Sequence, residues 1–503
     1  DRKVPRMKIL YVCTELFPLL KTGGLADVGA ALPAALRSLG NEVRLLLPAF
    51  PGIAQGVRIE GPALPLGTEG GPDILRTLQP APRLLPGRVE ATGQPVYLLD
   101  APALYQREGG PYLDAHGREW TDNAERFALL CWAAAGLGLG EDPEWQPDVI
   151  HAHDWHTGLT PVYLRLRARG MIAPACVFTV HNLAYQGVFP ASVLPALGLP
   201  ESLFTLDGIE FYGQLSFMKA GLQFADAITT VSPRYAREIM TPEQGCGLDG
   251  VLRYRADHVT GILNGVDYAV WDPSTDPLID SHFDARKMPG KSQAKCALQK
   301  SIGLEVRADA MLCVAVTRLS EQKGLHLVPA VLDDLVSRGG QLLVLGSGDA
   351  DIEHAIRQAV TRYPGQAVLR VGYDEPLAHR IMAAADVVLV PSRFEPCGLT
   401  QLYGLRYGAL PLVHAVGGLA DTVTDCTAAT LADHTASGFT FHEFTPEGLR
   451  AALHRAFDLY RHPADWIAVQ HHAMQLRFDW QVAAQAYATL FQRLAPPSGT
   501  GPA

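Results

Sequence analysis

Residues 311–324 read MLCVAVTRLSEQKG. The apolar run Met311 to Val316 suits a strand buried on both faces of a parallel sheet. Two cations follow five residues apart, Arg318 and Lys323, and Gly324 precedes a helical stretch. A strand that hands polar residues to a helix start is the unit of a doubly wound α/β sheet, whose ligands gather beyond the carboxyl ends of the strands. The same style recurs along the chain. In the first half it covers 8–14, 42–47, 96–100, 149–153, 176–181, 227–232 and 259–264; in the second, 311–317, 341–346, 367–372, 386–391 and 410–416. The chain therefore reads as α/β, with two doubly wound domains, and two such sheets facing one another share an interdomain cleft. Tyr268 to Phe283 (YAVWDPSTDPLIDSHF) has Asp-Pro turns and no apolar period. We accordingly divide the chain into an N-terminal domain over 1–267, a linker over 268–283, a C-terminal domain over 284–480, and a last helix and tail over 481–503. Met7 reads as the natural start, with 1–6 a remnant before it and the Pro/Gly/Ser tail frayed.

At 503 residues the chain is long enough for two large domains. With 48% hydrophobic and 19% charged residues it lies far from the composition of disordered chains. Lys plus Arg is 42 against 52 for Asp plus Glu, a net charge of −10. That sign excludes a general nucleic-acid or membrane-surface binder, so an anionic ligand needs a local cluster of cations. Eight cysteines without a CxxC pair form neither a disulfide framework nor a zinc ribbon, and we read a reducing, cytoplasmic setting. The longest uncharged apolar stretch, 127–140, falls short of the ~18 residues that suggest a membrane span. Ile9 to Cys13 is too short for a signal-peptide core.

The chemistry-bearing motifs follow strands. Glu15 to Val28 (ELFPLLKTGGLADV) puts Lys21 and the pair Gly23-Gly24 at the mouth of a helix. Such a mouth lets backbone amides and a point charge meet a diphosphate, though a tight turn with a surface lysine has the same appearance. HAHDWH (151–156) crowds three histidines and an aspartate, but Trp155 stands where a metallohydrolase pattern needs the acid beside the last histidine. A sugar shelf fits better, with Asp154 taking hydroxyls and Trp155 stacking on an apolar sugar face. His181 and Asn182 end another strand, as does Asn264-Gly265. Arg318 and Lys323 suit a departing diphosphate, one bidentate and one mobile. In Ser392 to Thr400 (SRFEPCGLT), Glu395 precedes a helix mouth of small residues able to hold sugar hydroxyls and phosphate. Cys397 lacks the local His/Asn pattern of a thiol nucleophile. Other apparent motifs fail. Gly346-Ser347-Gly348 has no third glycine at 351, Asp349 and Asp351 suit a helix N-cap better than a metal, and Gly290-Lys291-Ser292 lacks the upstream P-loop glycine.

KTGGLADV (21–28), HAHDWH (151–156), HNLAYQG (181–187), TRLSEQKG (317–324) and EPCGLTQL (395–402), in this order, closely resemble bacterial glycogen synthase and plant starch synthase over about Lys8 to Leu494. The resemblance implies a GT-B fold of two Rossmann-like doubly wound domains with a closing cleft, and a C-terminal helix that returns toward the N-terminal, acceptor-side domain. It implies transfer of glucose from ADP-glucose to the non-reducing end of an α-1,4-glucan, with retention and with neither cofactor nor essential metal. By position, Lys21, Gly24, Arg318 and Lys323 meet the donor diphosphate, and Tyr373 packs on the adenine. Glu395, Cys397, Gly398, Leu399 and Thr400 form the loop that holds glucose and phosphate. His181, Asp154, Asn182 and Asn264 surround the reacting sugar, while Asp27 and Trp155 serve sugar or acceptor. The catalytic set is His181, Asp154, Arg318, Lys323 and Glu395. Many retaining GT-B enzymes carry a second glutamate eight positions after the first; here that position is Tyr403. The expected partners are ADP-glucose and a glucan primer, without nucleic acid or membrane and with the oligomeric state open. A retaining GT-B enzyme with a small acceptor and a catalytically silent glucan-binding protein are the alternative readings.

Overall fold

The computed structural model describes residues 6–494. The readings made of residues 1–5 and of the tail from 495 onward lie outside the described residues. The chain forms two compact units. One holds the residues up to Val231, Ala236–Ile262 and Trp480 onward; the other holds Ser232–Tyr235 and Leu263–Asp479.

The strands of the first unit are β1 (Lys8–Val12), β2 (Glu42–Pro48), β3 (Val57–Ile59), β4 (Leu64–Pro65), β5 (Arg83–Val89), β6 (Pro95–Asp100), β7 (Val149–His153), β8 (Ala175–Val180), β9 (Val188–Pro190), β10 (Glu210–Phe211), β11 (Gln214–Ser216), β12 (Ala227–Thr230) and β13 (Val259–Gly261). Its main sheet runs β13-β12-β8-β7-β1-β2-β6-β5-β3, with β4 also on β5. From β13 to β6 every pairing is parallel; β5, β3 and β4 add an antiparallel edge. Parallel strands need crossovers, and the helices Gly24–Ser38 and Asn123–Gly138 supply two of them, the second almost wholly buried. A separate small antiparallel sheet runs β10-β11-β9. The last helix, Trp480–Leu494, packs on Gly24–Ser38, and its Tyr487 and Phe491 rings lie 5.0 and 5.3 Å from the His151 ring.

The second unit contains β14 (Met311–Val316), β15 (Gly340–Gly346), β16 (Ala367–Val371), β17 (Val387–Val390), β18 (Leu410–His414) and β19 (Phe439–Phe441). All pair in parallel in the order β16-β15-β14-β17-β18-β19. This is a dinucleotide-fold order, and the chain reverses direction across the sheet between β14 and β17. Glycines allow the backbone to close tightly there. Gly324 has φ +74°, and a Cβ on it would lie 1.9 Å from the Pro391 carbonyl oxygen; a Cβ on Gly346 would lie 1.9 Å from that of Thr317.

Residues 268–283 pack within this unit. Trp271 is stacked between His379 and Tyr403, with ring centroids 3.6 and 3.9 Å away. Asp276, almost fully buried, accepts from His379 Nδ1 at 2.7 Å and from the Tyr407 hydroxyl at 2.6 Å. Lys291 is buried and donates to the carbonyls of Ala383 and Tyr407 at 3.0 and 2.8 Å, tying together two helix ends. Asp349 caps its helix, accepting from the amides of Asp351 and Ile352. No helix among the described residues is long and apolar enough to cross a membrane.

The twelve strands read from sequence are present, several ending up to three residues earlier because their last residues turn out of the sheet. The reading missed β3, β4, β5, β9, β10, β11 and β19. Most of these are two or three residues long, and β5 carries Pro86 and Gly87, which weaken a strand pattern. Gly324→Ala forces a Cβ into left-handed backbone and against a carbonyl. It should cost about 2 kcal/mol or more, seen as a drop of several degrees in the melting transition of the second unit.

Candidate active site

Each unit gathers polar side chains at the carboxyl ends of its central strands. In the first unit the segment after β1 returns as Lys21-Thr22-Gly23 to begin the helix Gly24–Ser38, whose N-terminus no side chain caps. Its first amides are therefore available to an anion. Lys21 pairs with Asp27 at 2.9 Å. Glu15, only 3% exposed, accepts from the amides of Thr22 and Gly23 at 2.6 and 3.2 Å and from the hydroxyls of Thr22 and Tyr112 at 2.9 and 2.6 Å. Neither Glu15 nor Tyr112 was among the candidate residues. Glu15 sits in a run without periodic signal, and Tyr112 lies far away in sequence.

Asp154 follows β7 with φ +60° and ψ 178°, a conformation that costs a non-glycine residue roughly 1–3 kcal/mol. Its amide donates to the Thr179 carbonyl at 2.9 Å, and its Oδ1 accepts from the His181 amide at 2.7 Å. Burial pushes the Asp154 carboxyl up to about 7, against the hydrogen bonds from the His181 and Asn182 amides. His181 Nε2 lies 2.9 Å from His153 Nδ1, and His151 Nε2 lies 2.6 Å from the Thr179 hydroxyl. Desolvation lowers His181 to about 4, His151 and His156 to about 3, and His153 well below its ordinary value, so all four are neutral at pH 7. Among the described residues no three His, Cys, Asp or Glu side chains are grouped so that they could hold a metal ion. The Trp155 ring meets Phe127, Phe189 and Phe217, and a Cβ on Gly187 would lie 2.2 Å from it. Asn182 Oδ1 is turned to the Ala184 amide at 3.0 Å.

In the second unit the loops after β14 and β17 meet at the switch point. Lys323 Nζ lies 2.7 Å from Glu395 Oε2, which also accepts from the Ser392 hydroxyl at 3.0 Å. Arg318 on the same loop is exposed, and its side chain makes no ion pair among the described residues. Glu395 is buried, and its carbonyl accepts from the Gly418 amide at 3.1 Å. Gly398 takes φ +79°, turning the chain into the helix Thr400–Tyr407, which again lacks a side-chain cap. Gln401 Nε2 holds that turn through the carbonyls of Cys397 and Gly398 at 2.9 and 3.0 Å. Burial pushes the Cys397 thiol up to about 12, against a hydrogen bond from the Asn264 amide. The residue is thus protonated and places Asn264 beside this loop. Tyr373 is two-thirds exposed just after β16. Tyr403 faces the Trp271 stack.

Two family models match the chain. The starch synthase catalytic domain model covers residues 8–254 and the glycosyl transferases group 1 model covers residues 310–457. Among curated proteins, the chain is 58% identical to a glycogen synthase of Albidiferax ferrireducens over 97% of this chain and 99% of that one. It is 52% identical to a glycogen synthase of Leptothrix cholodnii over 97% and 100%. Among solved structures, the catalytic domain of starch synthase IV from Arabidopsis thaliana, bound to ADP and acarbose, aligns with TM-score 0.86 and 31% identity over 98% of this chain and 100% of that one. A sucrose-phosphate synthase from Thermosynechococcus elongatus aligns with TM-score 0.59 and 17% identity over 97% and 99%, a likeness of fold.

Two opposed titrations govern the pH dependence of the first unit. Below pH 6.5 the unfolded chain protonates His151, His156 and His181 while the folded unit does not, so acidification destabilises it. Asp154 acts oppositely: the folded carboxyl takes its proton near pH 7 and the unfolded one near 3.8, so acid stabilises the fold over that interval. The melting temperature should therefore fall between pH 6.5 and 4.5. It should fall more steeply in Asp154→Asn, which removes the offset.

Proposed function

Since the chain belongs to the glycogen synthase family and is a GT-B glycosyltransferase, we propose that it transfers glucose from ADP-glucose to the non-reducing 4-OH of an α-1,4-glucan, with retention of configuration. The observation that carries this reading is the switch-point cluster of the second unit. There Lys323, Glu395 and Ser392 are hydrogen-bonded beside the unpaired Arg318 and the uncapped helix Thr400–Tyr407. Breaking the anomeric bond leaves negative charge on the nucleoside diphosphate, and preorganised cations and helix dipoles aimed at that charge lower the barrier. In this reading Arg318 and Lys323 stabilise the leaving diphosphate, and Lys21 and Gly24 of the first unit contribute to it, Lys21 exchanging Asp27 for phosphate. Tyr373 offers its exposed ring to the adenine. Glu395 and the amides of Gly398, Leu399 and Thr400 hold glucose and phosphate, with Cys397 and Asn264 shaping that loop.

In the same reading Asp154, His181, Asn182 and Asp27 serve the reacting sugar, and Trp155 presents an apolar face to the acceptor. Retention by double displacement needs a free carboxylate at the anomeric carbon. Asp154 is engaged by backbone amides, and Glu15 accepts four hydrogen bonds. Both features favour same-face attack, in which the departing phosphate assists deprotonation of the acceptor hydroxyl. His181, neutral at working pH, positions the sugar rather than moving a proton.

Incubation with glycogen and either ADP-glucose or UDP-glucose, reading nucleoside diphosphate release together with chain extension, tests the reading. Extension from ADP-glucose is the expected result; release without extension would mean another acceptor. Arg318→Ala and Lys323→Ala should lower kcat, by about a hundredfold for a lost transition-state charge contact. Lys21→Ala should chiefly raise the donor KM. A trapped glucosyl-enzyme would overturn same-face attack.

A further inference from the structure

Glu15 lies at the mouth of an anion-binding helix, where a negative charge works against a diphosphate. Its side chain is nearly fully buried, and among the described residues no Lys, Arg or His forms an ion pair with it. A buried carboxylate without a cation persists only when its lone pairs are filled by hydrogen-bond donors. Here four neutral donors fill them. The amides of Thr22 and Gly23 and the Thr22 hydroxyl all come from the single turn Lys21–Gly24, and the fourth is the Tyr112 hydroxyl. The Tyr112 hydroxyl also lies 2.7 Å from that of Thr14, the residue before Glu15.

These bonds have a directional consequence. Two successive amides just ahead of the helix point inward to Glu15, which keeps Gly23 extended, with φ −165° and ψ −164°. Among the described residues no side chain accepts from the next amides, those of Gly24 and Leu25, while the Ala26 amide donates to the Gly23 carbonyl at 3.3 Å. The Thr22 and Gly23 amides are thereby already taken, which leaves the Gly24 amide as the next along the chain, and Lys21 is paired with Asp27.

We propose that Glu15 is a positioning residue for the nucleoside diphosphate: it occupies the inner amides of the Lys21–Gly24 turn and so sets the register in which Gly24 and Lys21 receive the donor. This rests on the donor reading given under Proposed function. It assigns Glu15 no contact with the reacting atoms, so its loss should weaken the nucleotide selectively.

The test measures ADP affinity by calorimetry, and KM for ADP-glucose and for glycogen, in the wild-type chain, Glu15→Gln, Thr22→Val and the double variant. Glu15→Gln keeps the shape but sets an amide group against donors. It should weaken ADP and raise the ADP-glucose KM by tenfold or more, with the glycogen KM within about twofold of wild type. Thr22→Val removes one hydroxyl donor and leaves both amides, so its effect should be two- to threefold. The double variant should be no weaker than Glu15→Gln, because the acceptor is already spoiled. If Glu15→Gln fails to fold, an unchanged ADP affinity in Thr22→Val still overturns the proposal. Parallel losses for ADP and glycogen would make Glu15 a general structural residue and overturn it as well. Wild-type ADP binding with unaltered affinity in Glu15→Gln overturns this inference alone. Absence of ADP binding by the wild-type chain overturns the donor reading with it.

Discussion

A parallel sheet cannot be closed by hairpins: each strand must be followed by a crossover that returns the chain to the starting edge. All the carboxyl ends of β14, β15, β16, β17, β18 and β19 therefore share one edge of their sheet, and the same holds for β1, β2, β6, β7, β8, β12 and β13. Residues that leave the strands at that edge become neighbours whatever their separation in sequence. Lys323 and Glu395 meet because β14 and β17 are adjacent. Asp154 reaches the His181 amide because β7 and β8 are.

The electrostatics follow from the same geometry. Strand ends in the middle of a covered sheet are poorly solvated, so charged groups there must be neutralised or filled with hydrogen bonds. Glu395 takes Lys323, Glu15 takes four neutral donors, and the histidines 151, 153, 156 and 181 lose their charge. Arg318 stays outside this settlement, exposed and, among the described residues, without an ion-paired carboxylate. Asp154 combines a strained backbone with a desolvated carboxyl, two costs that usually accompany a functional position.

The strong strands were readable because β-branched and leucine-rich runs such as Val149–His153 and Met311–Val316 are buried on both faces and carry no competing helical period. The edge strands were not, since β3 and β4 are too short and β5 is interrupted by Pro86 and Gly87. Residues 268–283 display their Asp-Pro turns openly. Nothing local tells that Trp271 finds His379 and Tyr403, more than a hundred residues away. Tyr403 was visible as a departure from the paired-glutamate pattern, and only the packed helix accounts for its ring.

The sequence by itself determined the α/β class, the strand-end positions of Lys21, Asp154, His181, Arg318, Lys323 and Glu395, and, through five motifs in register, the family. These depend on local pattern and order along the chain. Tertiary structure alone decided that Lys323 pairs with Glu395, that Glu15 gathers the Lys21–Gly24 turn, that Asn264 lies beside Cys397, and which groups lose their charge. Those outcomes depend on desolvation and on hydrogen-bond distances between segments far apart in the chain, 97 residues for Glu15 and Tyr112 and more for Asn264 and Cys397. No local window of sequence contains both partners.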